Sequence, residues 1–185
     1  MSTYSIGSLN QLGDAMETAG FTADDVTKLK QFKELAKIKT VLHGMAEIVT
    51  TKHVVDCDAN PLVPDGWKVE EHIKGGQFEW DPSQIELYLD EGQQNGNSIV
   101  GKKLRQKLSG KKVMNACVLD FLLAHPELIP EEWKGKAIFF WGTVYRDSDG
   151  DLYVRYLVWS DGRWYWFYGW LGYDFNGNSP AAFRK

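Results

Sequence analysis

An α+β fold is predicted, with N-terminal and central helices packed on an antiparallel sheet that ends in a three-stranded C-terminal meander. Three observations lead there. Residues 136–171 read KAIFFWGTVYRDSDGDLYVRYLVWSDGRWYWFYGWL, three aromatic and β-branched runs separated by two Gly-containing polar turns, which is the pattern of consecutive hairpins. Upstream segments carry apolar residues at three- and four-residue spacing, the period of amphipathic helices. These helices come in sets before the strands instead of alternating with them, which argues against βαβ units.

Each element follows from local signals. Leu9, Leu12, Met16 and Ala19 predict a helix over residues 8–19, with Ser8 as cap and Gly20 as its end. Thr22 caps a second helix, Asp25 completes a capping box, and Phe21 and Val26 form the staple. Leu29, Phe32, Leu35 and Ala36 extend its apolar stripe. Residues 1–44 are therefore read as a helical N-terminal appendage and 45–185 as the α+β domain. Between Met45 and Asp58, the β-branched Ile48, Val49, Thr50, Thr51, Val54 and Val55 predict one or two strands. Turn signals at Asn60-Pro61, Pro64 to Gly66 and Gly75-Gly76 flank a stretch, Trp67 to Ile73, read as irregular or a short strand.

Asp81-Pro82-Ser83-Gln84 reads as a helix start, with Ile85, Tyr88 and Leu89 turned inward. After a polar loop over Gly92 to Asn97, Val100, Leu104 and Leu108 mark one face of a basic helix. Asn115 caps another, whose Val118, Phe121 and Leu122 face the core until Pro126 stops it. Pro130 opens one more turn that ends by Gly135.

The meander's faces follow from its turns. Asp161-Gly162 as a two-residue turn sets Ser160 opposite Arg163 and Trp159 opposite Trp164. A four-residue turn over Asp147 to Gly150 sets Arg146 opposite Asp151. Alternation then places Ile138, Phe140 and Val144 with Tyr153, Arg155, Leu157, Trp159, Trp164, Trp166, Tyr168 and Trp170 on a first face. Phe139, Trp141, Thr143 and Tyr145 fall on the second face with Leu152, Val154, Tyr156 and Phe167. Neither face is polar, so both are covered or one binds a partner. Tyr153, Arg155, Trp159, Trp164, Trp166 and Trp170 are the candidate binding residues. Of the 25 aromatic residues, 15 lie between Phe139 and Phe175, which concentrates any core or binding surface there.

Composition narrows the function classes. With 185 residues, 43% of them hydrophobic, the chain can bury a sizeable core. A net charge of -4 gives no general attraction to nucleic acid, and the run Lys102, Lys103, Arg105, Lys107, Lys111 and Lys112 reads as a solvated helix face. Two distant cysteines, Cys57 and Cys117, are a poor disulfide framework and suit a reducing cytoplasm. The first 20 residues lack a basic-then-apolar leader pattern, and no apolar run approaches the ~18 residues of a membrane span. The expectation is a cytoplasmic protein without a membrane or nucleic-acid role.

No phosphate loop, dinucleotide fingerprint or nucleophile elbow is present. His53, Asp56, Cys57 and Asp58, with Glu70, Glu71 and His72, are the most enzyme-like text, yet their spacing matches no zinc signature. Asp147, Asp149 and Asp151 alternate like calcium ligands, but Gly150 sits one position early for an EF-hand. No catalytic residue, metal or cofactor is assigned.

The stretches DCDANPLVPDGWKVEEHIKGGQFEWDP, VLDFLLAHPELIPEEWKGK, FFWGTVYRDSDGDLYVRYL and RWYWFYGWL, with the closing SPAA, resemble a family of small uncharacterised bacterial proteins. The resemblance covers about residues 45–182 and implies no activity, so it carries over no catalytic residue. The expected function is a non-enzymatic interaction module that holds a protein partner, or a second copy of itself, on an aromatic face of the meander. The alternative is a ligand-binding or hydrolytic protein that stacks a sugar or nucleobase on its tryptophans beside the cluster at residues 53–72.

Overall fold

A computed structural model describes residues 4–31, 35–49 and 51–185, and the chain divides into two compact units, residues 1–51 and 52–185. The first unit holds α1 (Ile6–Thr18), α2 (Ala23–Gln31) and α3 (Leu35–Leu42). Ser5, not Ser8, caps α1, because Ser5 has the extended backbone a cap needs and its hydroxyl accepts from the Ser8 amide at 3.1 Å. Gly20 closes α1 at φ +81°, with the Phe21 amide donating to the Met16 carbonyl at 3.0 Å. Thr22 and Asp25 form the reciprocal box expected of them, at 3.2 and 2.9 Å. Phe32 and Thr50, both used in the sequence reading, lie outside the described residues.

The second unit is α+β. In order it contains β1 (Val54–Asp56), β2 (Lys68–His72), β3 (Gln77–Glu79), β4 (Ile85–Tyr88), β5 (Ile99–Val100), α4 (Gly101–Leu108) and α5 (Ala116–Ala124). It ends with β6 (Ala137–Arg146), β7 (Leu152–Ser160), β8 (Arg163–Trp170), β9 (Asp174–Phe175) and β10 (Ala181–Arg184). The main sheet runs β4-β10-β6-β7-β8, with β2 paired to the C-terminal half of β6.

Of the one or two strands expected before Asp58, the described residues hold β1, which pairs with β3 over three residues. Two expectations are corrected. The main sheet is mixed and not antiparallel throughout, because β10 pairs in parallel with β6. The stretch after Pro82 is a single 3-10 turn followed by β4, not a helix, although Asp81 caps it as foreseen. Ile85 to Tyr88 find their partners in Ala181 to Arg184, and this long-range ladder overrides the local start signal.

The register of β6 differs as well. Arg146 faces Leu152, not Asp151, and between Phe139↔Tyr156 and Val144↔Val154 four residues of β6 stand opposite Arg155 alone. This bulge is where α5 begins. A Cβ on Gly142 would lie 2.9 Å from the Asn115 backbone nitrogen, so only glycine lets the two chains approach, and the Gly142 amide donates to Met114. The shift carries Val144 to the second face, where it packs with Trp141 and Val154, and turns Thr143 and Tyr145 toward the first.

Both faces of the sheet are covered over β6 and β7. On the first, Ile138, Phe140 and Leu157 pack with Val118, Leu119 and Leu122 of α5 and with Trp80 and Trp133. On the second, Phe139, Trp141, Val144 and Val154 pack with Leu104 and Leu108 of α4 and with Phe175. α4 thus buries Leu104 and Leu108 of the stripe predicted for it, whereas Val100 lies in β5 and is 37% exposed; Lys102, Lys103 and Lys107 are exposed.

Candidate interaction site on the C-terminal hairpin

The hairpin turn sets the site. Asp161 and Gly162 have φ of 49° and 78°, the two left-handed residues of a type I′ turn, whose twist matches the flanking strands. Trp159 therefore faces Trp164 and Ser160 faces Arg163, as the Asp-Gly pair implies. The Leu171 amide donates to the Leu152 carbonyl at 2.8 Å, and hydrogen-bonded pairs alternate along an antiparallel ladder. Odd-numbered residues of β8 consequently bond to β7, while Trp164, Trp166, Tyr168 and Trp170 turn their backbone N–H and C=O groups to the outer edge. Trp170 uses its carbonyl for the Tyr173 amide, but no described residue of 52–185 forms a strand against this edge.

The side chains of those even-numbered residues form an aromatic row on the first face. Trp164 meets Trp159 edge-on at 5.3 Å, and the Lys134 ammonium lies 3.9 Å over the Trp159 ring. The Arg155 guanidinium stacks 4.2 Å over Trp166 and donates through Nη2 to Asp120 Oδ1 at 2.8 Å. Tyr153 and Tyr168 both pack on Trp67, at 4.6 and 4.7 Å, and Trp170 packs against Tyr173. Of the six candidate residues, Tyr153, Trp159, Trp164, Trp166 and Trp170 are half-buried, and Arg155 is 1% exposed. The row is thus an edge of the core and not an open platform, because α5 and Trp67 lie over part of it.

Arg155 sits in a polar enclave. Its Nε and Nη1, with the hydroxyls of Tyr145 and Tyr168, have no hydrogen-bond partner among the described residues. Burial pushes both phenols above their ordinary range, so they remain protonated donors. Asp120, Trp67 and Tyr145 were absent from the sequence-based set. Asp120 is the single charge in the helix ACVLDFLLA, a signal that could have found it, whereas the placement of Tyr145 depends on the unforeseen bulge.

On the second face of β8, Phe167 is 50% exposed and stacks along Tyr165, whose hydroxyl accepts from Arg163. Phe139 covers Gly169, where an added Cβ would come within 2.7 Å of its ring.

The cluster at residues 53–72 is tied up structurally. The Cys57 carbonyl accepts from His72 Nε2 at 3.1 Å, and His72 Nδ1 is hydrogen-bonded to the Thr143 hydroxyl at 2.8 Å. Thr143 in turn accepts from the Ala116 amide, which fastens α5 to β6. Glu70 holds Arg146 through two 2.8 Å bonds, which lower its pKa to about 2, and Glu71 pairs with Arg105 at 2.7 Å. Burial raises the thiols of Cys57 and Cys117 to about 11, which suppresses the nucleophilic thiolate. Among the described residues, no three His, Cys, Asp or Glu side chains are grouped to hold a metal. Asp147 caps its own turn through the Asp149 and Asp151 amides.

No family model matches this chain, and neither does any curated protein or solved structure.

Proposed function

We propose that the chain is a protein-interaction module that binds an extended segment of a partner by strand addition to the outer edge of β8. One observation carries this reading: β8 is an eight-residue aromatic edge strand whose outward N–H and C=O groups meet no strand within 52–185. Soluble proteins ordinarily blunt such edges with lysine, proline, bulges or inward charges, because a bare edge templates pairing with another chain. β8 has none of these, and its one charge, Arg163, stands at its start. Backbone bonds would supply the affinity, and the tryptophan row with Phe167 would supply side-chain selectivity.

The proposed setting is the cytoplasm, where the two buried, unpaired cysteines would stay reduced. Among the described residues, no helix is long and apolar enough to cross a membrane.

Selection from a display library of ten-residue peptides on the immobilised protein tests the reading. Enriched peptides should be apolar and extended, and their binding should slow amide exchange at Trp166 and Tyr168 while leaving Tyr165 and Phe167 unchanged. Peptides that bind without protecting those two amides, or a failure to enrich any, would sink it.

A further inference from the structure

We infer that the segment received by the β8 edge is β8 of a second copy of this chain, related by a twofold axis through Phe167. The inference rests on the strand-addition reading above. It comes from two parities and a charge pattern.

Hydrogen-bond parity comes first. The outward groups belong to the even-numbered residues, so two antiparallel β8 strands can bond only when even residues face even residues. Face parity comes second: the same pairing keeps the tryptophan row continuous across the junction, since all even residues share one face. Of the registers that meet both demands with near-complete overlap, one sets Trp166 opposite the partner's Tyr168 and Trp164 opposite the partner's Trp170. It also brings the half-exposed Phe167 against the partner's Phe167, and sets Tyr165 opposite the partner's Gly169, which bears no side chain to oppose it. The neighbouring register centred on Trp166 overlaps as fully, but it would set Arg163 opposite the partner's Gly169 and leave Trp170 without a strand partner.

Charge decides between a copy and an unrelated strand. An added strand must be apolar on both faces, because the edge is bordered by the tryptophan row on one side and by Tyr165 and Phe167 on the other. β8 is itself such a strand, and its single charge, Arg163, falls past the partner's Trp170, so no like charges oppose. A closed twofold arrangement uses the edge once on each copy and leaves no edge for further addition.

The axis makes a specific test available. Phe167 and the partner's Phe167 would form a non-hydrogen-bonded pair with Cα atoms ~4.5 Å apart, within disulfide range. Phe167→Cys should therefore cross-link rapidly under mild oxidation into a dimer that dithiothreitol reverses. Tyr165→Cys, one register step away, should not, and the buried Cys57 and Cys117 give no background. The unmodified chain should sediment at twice its 21.1 kDa mass at about 100 μM, which populates any dimer of roughly micromolar Kd. Phe167→Lys should return it to monomer with an unchanged circular dichroism spectrum.

A monomeric chain at that concentration overturns the inference, as does a dimer that survives Phe167→Lys without cross-linking through Phe167→Cys. The two readings can be separated. A monomer whose Trp166 and Tyr168 amides are still protected by library peptides keeps strand addition and loses only the second copy; a monomer without that protection loses both.

Discussion

Arg155 and Asp120 form one ion pair from unequal surroundings, with side chains 1% and 39% exposed. The inequality predicts which partner is worse to remove. Asp120→Ala strands a buried guanidinium without a counter-charge, a loss of about 3 kcal/mol or more. Arg155→Met leaves a carboxylate that water can reach and fills the space with apolar atoms, so it should cost clearly less. Urea denaturation of the two variants checks the order, and equal losses would mean that Asp120 does not neutralise Arg155. Trp141 and Trp170 offer a second contrast. Trp141 is 3% exposed among Phe139, Phe175 and Leu171, so Trp141→Ala should cost about 3–5 kcal/mol. Trp170, half-buried against Tyr173 at the end of β8, should lose well under that when replaced by alanine.

At the scale of elements, what was legible was local. The Thr22–Asp25 box, the Asn115 cap, the Asp-Gly turn and the α4 stripe each rest on residues within a few positions of one another, where side-chain chemistry alone decides. What was illegible was long-range. β4 gains strand form from β10, nearly a hundred residues away, and the β6 bulge exists because α5 needs Gly142 to reach the sheet. The aromatic character of the candidate residues was legible in composition, since three of the six lie in the β8 row and Tyr153 and Trp159 stand beside it on β7, but their partial burial was not. The α4 element also carries a pH device. Asp90 accepts from Lys107 Nζ at 2.7 Å and from the Gly92 amide at 2.9 Å, and these bonds lower its pKa below the ordinary 3.8 despite burial. A depressed carboxylate stabilises the fold above its unfolded pKa and loses that contribution as pH falls through the folded one. Asp90→Asn should therefore be less stable than the parent at pH 7, with a gap that narrows below about pH 4. Denaturation midpoints measured from pH 7 to 3 test this, and a gap that does not change with pH would remove Asp90 from the acid response.

The whole molecule combines a net charge of -4 with a basic helix whose Arg105 and Lys107 are already engaged by Glu71 and Asp90. Single-stranded oligonucleotide should accordingly show no tight, salt-sensitive binding; an affinity that falls steeply between low and physiological salt would assign the helix a phosphate contact. The division at residue 51 leads to the remaining test. α1 buries none of its residues, and the core clusters lie within 52–185. Helices this short gain most of their stability from packing, so α1 contributes little to any shared core. Removal of residues 1–20 should leave the main thermal transition within about 2 °C of the full chain, a shift that corresponds to well under 1 kcal/mol for a domain of this size. A transition that broadens or falls by ten degrees would show that α1 is part of the cooperative unit, and that the division at residue 51 marks contact density and not folding autonomy.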